Sequence, residues 1–145
     1  MRTKLRFLPI VPGVMTISGH IYTPEVLALV LEQIRHHLPW IGSLDHPQDG
    51  KTRLGNCSHQ TLSIEKIGLD IFGDIELFNT DSGRLAEACL KARLPAYLAP
   101  FIFASKEPDG TICDDVKVVS LNIIVPDKEM ASPLDIIVRE VFAPE

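Results

Sequence analysis

Gly42-Ser43-Leu44-Asp45-His46-Pro47 and, a short way on, Asn56-Cys57-Ser58-His59 put two histidines in polar, turn-rich stretches just ahead of a strongly strand-like region. His46 sits between a carboxylate and a proline. An imidazole with a pKa near ~6.5 can take a proton and return it at working pH, so His46 is a candidate general base. Such a base needs a nucleophile within reach and a third group to hold its ring. His59 is a second candidate, with a plainer reading beside it: Ser58 and His59 pair with neighbours at a strand start. His36 and His37 fall in the last turn of an expected helix, where the dipole favours a cation, and need no chemistry. Cys57, Cys89 and Cys113 are scattered and odd in number. They form no Cys-x-x-Cys pair and no ligand cluster, so neither a metal nor any other cofactor is expected, and the thiols read as reduced.

The elements that would position these residues come from a chain of 145 residues, 46% apolar and 23% charged. That suits one globular domain spanning 1–145 with its own core. A net charge of −5 argues against nucleic acid or an anionic membrane as partner. No apolar run approaches the ~18 residues of a membrane span. Basic residues open the chain (Arg2, Lys4, Arg6), but Pro9, Pro12 and Gly13 soon interrupt, so a first strand rather than a signal peptide is expected there.

Leu5 to Met15 reads as one or two short strands. Thr23-Pro24-Glu25 is a helix start, with Thr23 as cap and Pro24 in the first turn. Val26, Leu27, Val30, Leu31, Ile34 and Leu38 follow at helical spacing, and Pro39 ends the helix. A short strand from Ile41 to His46 precedes a loop rich in turn formers. Ser58 to Ile67 and Leu69 to Phe78 read as strands joined around Gly68; Leu69, Ile71, Ile75 and Leu77 share a face. Asp81 is expected to cap a second helix to Lys91 with Leu85, Ala88, Cys89 and Ala92 on its apolar face. Strands Ala96–Ala104 and Val116–Val125 follow, and Ile136-Ile137-Val138 suggests a last one. Six to eight strands with two helices predict an α+β, mostly β fold: an antiparallel barrel or sandwich with two flanking helices.

The order of landmarks resembles the tailed-phage prohead (capsid maturation) proteases, serine proteases with a herpesvirus-assemblin-like barrel. The family's Asn-x-Asn-Gly-Arg-x-Tyr-Pro segment is similar to Ser18-Gly19-His20-Ile21-Tyr22-Thr23-Pro24 with the residues just before it. Its Gly-Glu-Leu-Asn-His-Pro resembles Gly42 to Pro47, and its Ser-His-x-Ile strand begins like Ser58-His59. Its Gly-x-x-x-Leu-x-Thr-x-x-Gly stretch looks like Gly73 to Gly83. The likeness runs from about Thr16 to Pro126, and order and spacing carry it more than any single motif.

The resemblance implies that His46 is the general base and that the nucleophile belongs on the strand after the second helix. That slot is Ala99, in Tyr97-Leu98-Ala99-Pro100-Phe101. Alanine has no group that can attack a carbonyl. Either a serine has been replaced to give an inactive variant, or the chain is a natural pseudoenzyme. On the following strand Asn122 is the polar side chain in the apolar centre, and its carbonyl could accept the imidazole N–H; His59 and Asp45 are alternatives for this third role. Pro100 departs from the family pattern, because it has no N–H to offer an oxyanion. The implied activity is a serine endopeptidase that cleaves scaffold and major capsid proteins, often after glutamate, inside the assembling prohead in the host cytoplasm. Glu145 would be a product end on that reading, and self-association is plausible in the crowded shell. Two other readings stand beside it: a catalytically dead protease-like scaffold or capsid-assembly binding protein, and an unrelated β-rich phage structural protein.

Overall fold

A computed structural model describes residues 1–7, 12–15, 19–45, 47, 49, 51–68 and 70–125, and the backbone of 138–140. In chain order the elements are β1 (Arg2–Arg6), α1 (Pro24–His37), β2 (Trp40–Ser43), β3 (Cys57–Ile67), β4 (Asp70–Leu77), α2 (Asp81–Lys91), β5 (Tyr97–Ala104), β6 (Lys117–Ile124) and β7 (Val138–Glu140). His46 and Glu145 lie outside the described residues, as do Thr16 to Ser18 and Ile136-Ile137.

α1 forms where expected. Thr23 Oγ1 accepts from Val26 N at 3.1 Å, Pro24 is in the first turn, and Val26, Val30 and Ile34 are buried on one stripe. α2 departs from expectation twice. Its cap is Thr80, whose Oγ1 accepts from Gly83 N at 3.0 Å; Asp81 is the first helical residue. Its buried residues are Gly83 and Ala86, while Leu85 is 57% exposed. The reason is a close approach. A Cβ on Gly83 would lie 2.0 Å from the Phe78 carbonyl oxygen and 2.9 Å from that of Ser58, so the helix is seated on its glycine.

The strands make two sheets. One is four-stranded in the order β1-β4-β3-β2, antiparallel throughout; the other runs β6-β5-β7, with β5–β6 antiparallel and β5–β7 parallel. Among the described residues they do not close into the expected barrel. They meet at single parallel bridges, Phe7 with Leu98 and Leu44 with Ile123. Continuous pairing of β2 with β6 is broken off at one end by α1: Gln33 Nε2 donates to the Val116 carbonyl and Gln33 Oε1 accepts from Val118 N, each at 2.8 Å. That side chain occupies an edge that a strand would otherwise pair. The core between the sheets holds Leu5, Ile75, Leu98, Ile102, Leu121 and Ile123, with Val26, Val30 and Ile34 of α1.

Candidate functional site

Leu98, Ile102, Leu121 and Ile123 belong to the main core, while Ala99 packs with Ile124 and Tyr97 in a smaller cluster. Alternation thus gives β5 and β6 a second face. Ala99 and Asn122 stand opposite each other across these strands, so they share that face, and both are fully buried. Ser120, two residues before Asn122, lies on it too and is 1% exposed.

An asparagine amide this deep must have partners. Asn122 Oδ1 accepts from Ser43 N at 3.1 Å, with Ser43 Oγ 3.0 Å away, and Nδ2 donates to Ser120 Oγ at 2.9 Å. The end of β2 is therefore fastened to the middle of β6. The fastening continues into the next turn, where Asp45 N donates to the Ile123 carbonyl at 2.7 Å. Asp45 adopts φ 67°, the left-handed region that few non-glycine residues enter. His46 follows immediately in the chain.

His59 arrives from the other side. Gly42 of β2 pairs with it, and a bulge follows between Gly42 and Ser43. A Cβ on Gly42 would lie 1.9 Å from the Leu121 carbonyl oxygen and 2.6 Å from His59 Cε1. Only glycine lets the imidazole and the β6 backbone come this close. His59 is fully buried, with Nδ1 2.7 Å from Ser58 Oγ. Among the described residues Nε2 has no hydrogen-bond partner. Burial lowers the His59 pKa to about 4, and the Leu121 carbonyl beside the ring opposes this in part without completing a bond. The ring is neutral at pH 7. The start of β3 is held from behind by the segment that leads into α2: Thr80 Oγ1 donates to the Cys57 carbonyl at 2.7 Å, and Phe78 N to the Ser58 carbonyl at 2.9 Å.

Three of the four sequence candidates lie among the described residues. Ala99 faces Asn122, and His59 lies against Leu121, one residue before Asn122. The turn leading to the fourth, His46, is bonded to Ile123, one residue after it. Ser43 and Ser120 were not singled out from the sequence, although Ser120 and Asn122 alternate in an apolar strand and so had to share a face. An open cavity of about 610 Å³ adjoins the network, lined by Trp40, Ile41, Lys51, Arg53, Cys57 and Ser120 among others. Among the described residues no group of three His, Cys, Asp or Glu side chains is placed to hold a metal ion. No described helix is long and apolar enough to cross a membrane.

The chain superimposes on the solved structure of the bacteriophage T4 capsid assembly protease, gp21, with a TM-score of 0.65, covering 85% of this chain and 80% of that one at 12% identity. The fold is that of a phage capsid assembly protease. In sequence, no protein-family model and no curated protein matches the chain. The likeness is thus one of fold, and it is consistent with the resemblance read from the order of landmarks in the sequence. In this chain an alanine stands opposite Asn122, and a serine fastens that asparagine to β2.

Proposed function

We propose that this chain is a prohead maturation peptidase of the serine type whose nucleophile position holds Ala99. The observation that carries the reading is the placement of Ala99 directly opposite Asn122, on the strand to which the turn before His46 is bonded. With a serine at position 99, His46 takes the hydroxyl proton as Oγ attacks the scissile carbonyl. The tetrahedral intermediate collapses to an acyl-enzyme, and His46 returns the proton to the leaving amine. Water then repeats the sequence and releases the acid. Asn122 serves as the orienting group of the site, with His59 as the alternative. Pro100 has no N–H, so the oxyanion is stabilised by other donors.

The substrates on this reading are scaffold and major capsid proteins inside the assembling phage capsid, cut after glutamate, and the protease self-associates there. Neither nucleic acid nor membrane is a partner. A second reading follows from Ala99 itself. A closed, fully buried alanine in the nucleophile slot suits a chain kept as a binding or scaffolding protein without chemistry.

The deciding experiment uses the Ala99→Ser chain with a capsid- and scaffold-derived peptide library, read by mass spectrometry. Defined cuts are expected, and they should vanish in Ala99→Ser/His46→Ala. Absence of cleavage in well-folded Ala99→Ser protein would leave the binding reading standing.

A further inference from the structure

Ser43 carries more of the site than its place at a strand end suggests. Its backbone N–H already donates to Asn122 Oδ1, so the amide oxygen does not depend on the Ser43 hydroxyl proton. The hydroxyl lies 3.0 Å from Asn122 Oδ1 and also 3.0 Å from the Asp45 carbonyl oxygen. Its one proton is thus available to the Asp45 carbonyl. Asp45 is held in its unfavourable φ from two sides: the N–H by the Ile123 carbonyl, and the C=O by Ser43 Oγ. Sparsely populated backbone conformations persist only where surrounding bonds over-determine them. The network is nearly dry, with Ser43 2% exposed, Ser120 1% and Asn122 0%, and bonds in such surroundings hold direction well.

We propose that Ser43 is a positioning residue that ties the buried Asn122 amide to the Leu44–Asp45 turn, the turn that precedes His46 in the chain. Asn122 is neutral and bonded at both ends of its amide, so it contributes direction rather than charge. Ser43 passes that direction to the turn. The assignment rests on the peptidase reading above for its catalytic consequence, but the tie itself is a property of the Ala99 chain.

The test has two arms. In the Ala99 chain, Ser43→Ala removes the bond to the Asp45 carbonyl and keeps the backbone N–H. Hydrogen exchange of the Asp45 amide is expected to quicken about tenfold, the scale of one lost hydrogen bond, while the Thr61 and Ile75 amides of β3 and β4 keep their rates. Equal acceleration across β3 and β4 would mean a general packing role and overturns the proposal; so does an unchanged Asp45 rate. In the Ala99→Ser chain, Ser43→Ala should lower kcat about tenfold with KM within about twofold, the mark of lost orientation rather than lost binding. Unchanged kcat, or a rise in KM alone, overturns the catalytic part. If Ala99→Ser cleaves nothing, the peptidase reading fails and the catalytic part with it, whereas the Asp45 exchange still decides whether Ser43 holds the turn.

Discussion

His59 is an imidazole sealed in the interior, and its protonation is coupled to folding. Its pKa of about 4 in the folded chain lies below the ordinary 6.5. Above pH 6.5 the ring is neutral in both states and its burial costs nothing in proton affinity. As pH falls from 6.5 toward 4, the unfolded chain takes up the proton first, and stability is lost at about 1.4 kcal/mol per pH unit, to roughly 3 kcal/mol in all. Urea unfolding of the parent chain and of His59→Asn across this window should show the steeper loss in the parent. Parallel curves would mean that the ring is not held neutral. Gly42 belongs to the same account: it matters to the site because its missing Cβ makes room for His59 and the Leu121 carbonyl.

Elements are joined here by side chains as much as by sheet ladders. Gln33, on the half-exposed flank of α1, reaches both Val116 and Val118 and closes the edge of β6 where it diverges from β2. Val116 and Val118 are buried, so their backbone groups have no ready access to water when the glutamine is removed. Gln33→Ala should cost about 2 kcal/mol, more than helix propensity alone would suggest. Faster exchange of the Val118 amide with unchanged exchange in β4 would locate the loss. A cost below ~0.5 kcal/mol would show that the two bonds are replaced by water. Thr80 does comparable work at the other end of the site: one hydroxyl caps α2 and bonds the carbonyl of Cys57, which fixes the helix over the start of β3.

At the scale of the molecule, the two sheets touch, among the described residues, through two single bridges and a shared core. Leu98 lies at that junction. It bridges to Phe7, it is fully buried, and its Cδ1 fills the space a Cβ on Gly73 would occupy. Because the sheets share this core, thermal unfolding should be one cooperative calorimetric transition. Leu98→Ala should lower stability by about 3–5 kcal/mol while keeping a single transition, since the cavity it opens is common to both layers. Two resolved transitions would mean that the sheets unfold as separate units. Where the barrel does not close among the described residues, the unpaired stretches of β2 and β6 border the open cavity next to Ser120.

Much of this was legible in the residues. Thr23-Pro24-Glu25 and the Val26-Val30-Ile34 stripe are local signals, and α1 formed on them because a cap and an amphipathic period act within a few residues. The alternation of Ile71, Gly73, Ile75 and Leu77 likewise produced β4 with its buried side as read. The second helix was found, but its buried face was not. Apolarity pointed to Leu85, whereas the Phe78 and Ser58 carbonyls could be approached only at Gly83. The candidate site divides in the same way. His46, His59, Ala99 and Asn122 could be named from residue type and motif order, and the strand opposition of Ala99 and Asn122 is consistent with that reading. The roles of Ser43, Gly42 and the Leu121 carbonyl could not be named, because they arise from contacts between residues about 80 positions apart. Local hydrogen bonding and periodicity are written along the chain, so the sequence by itself determined the helices, the strands and the candidate residues. Register between sheets and the burial of polar groups depend on which distant edges meet. Only the tertiary structure decided that Asn122 would be fastened through Ser43, that His59 would be sealed and neutral, and that the sheets would meet, among the described residues, without closing.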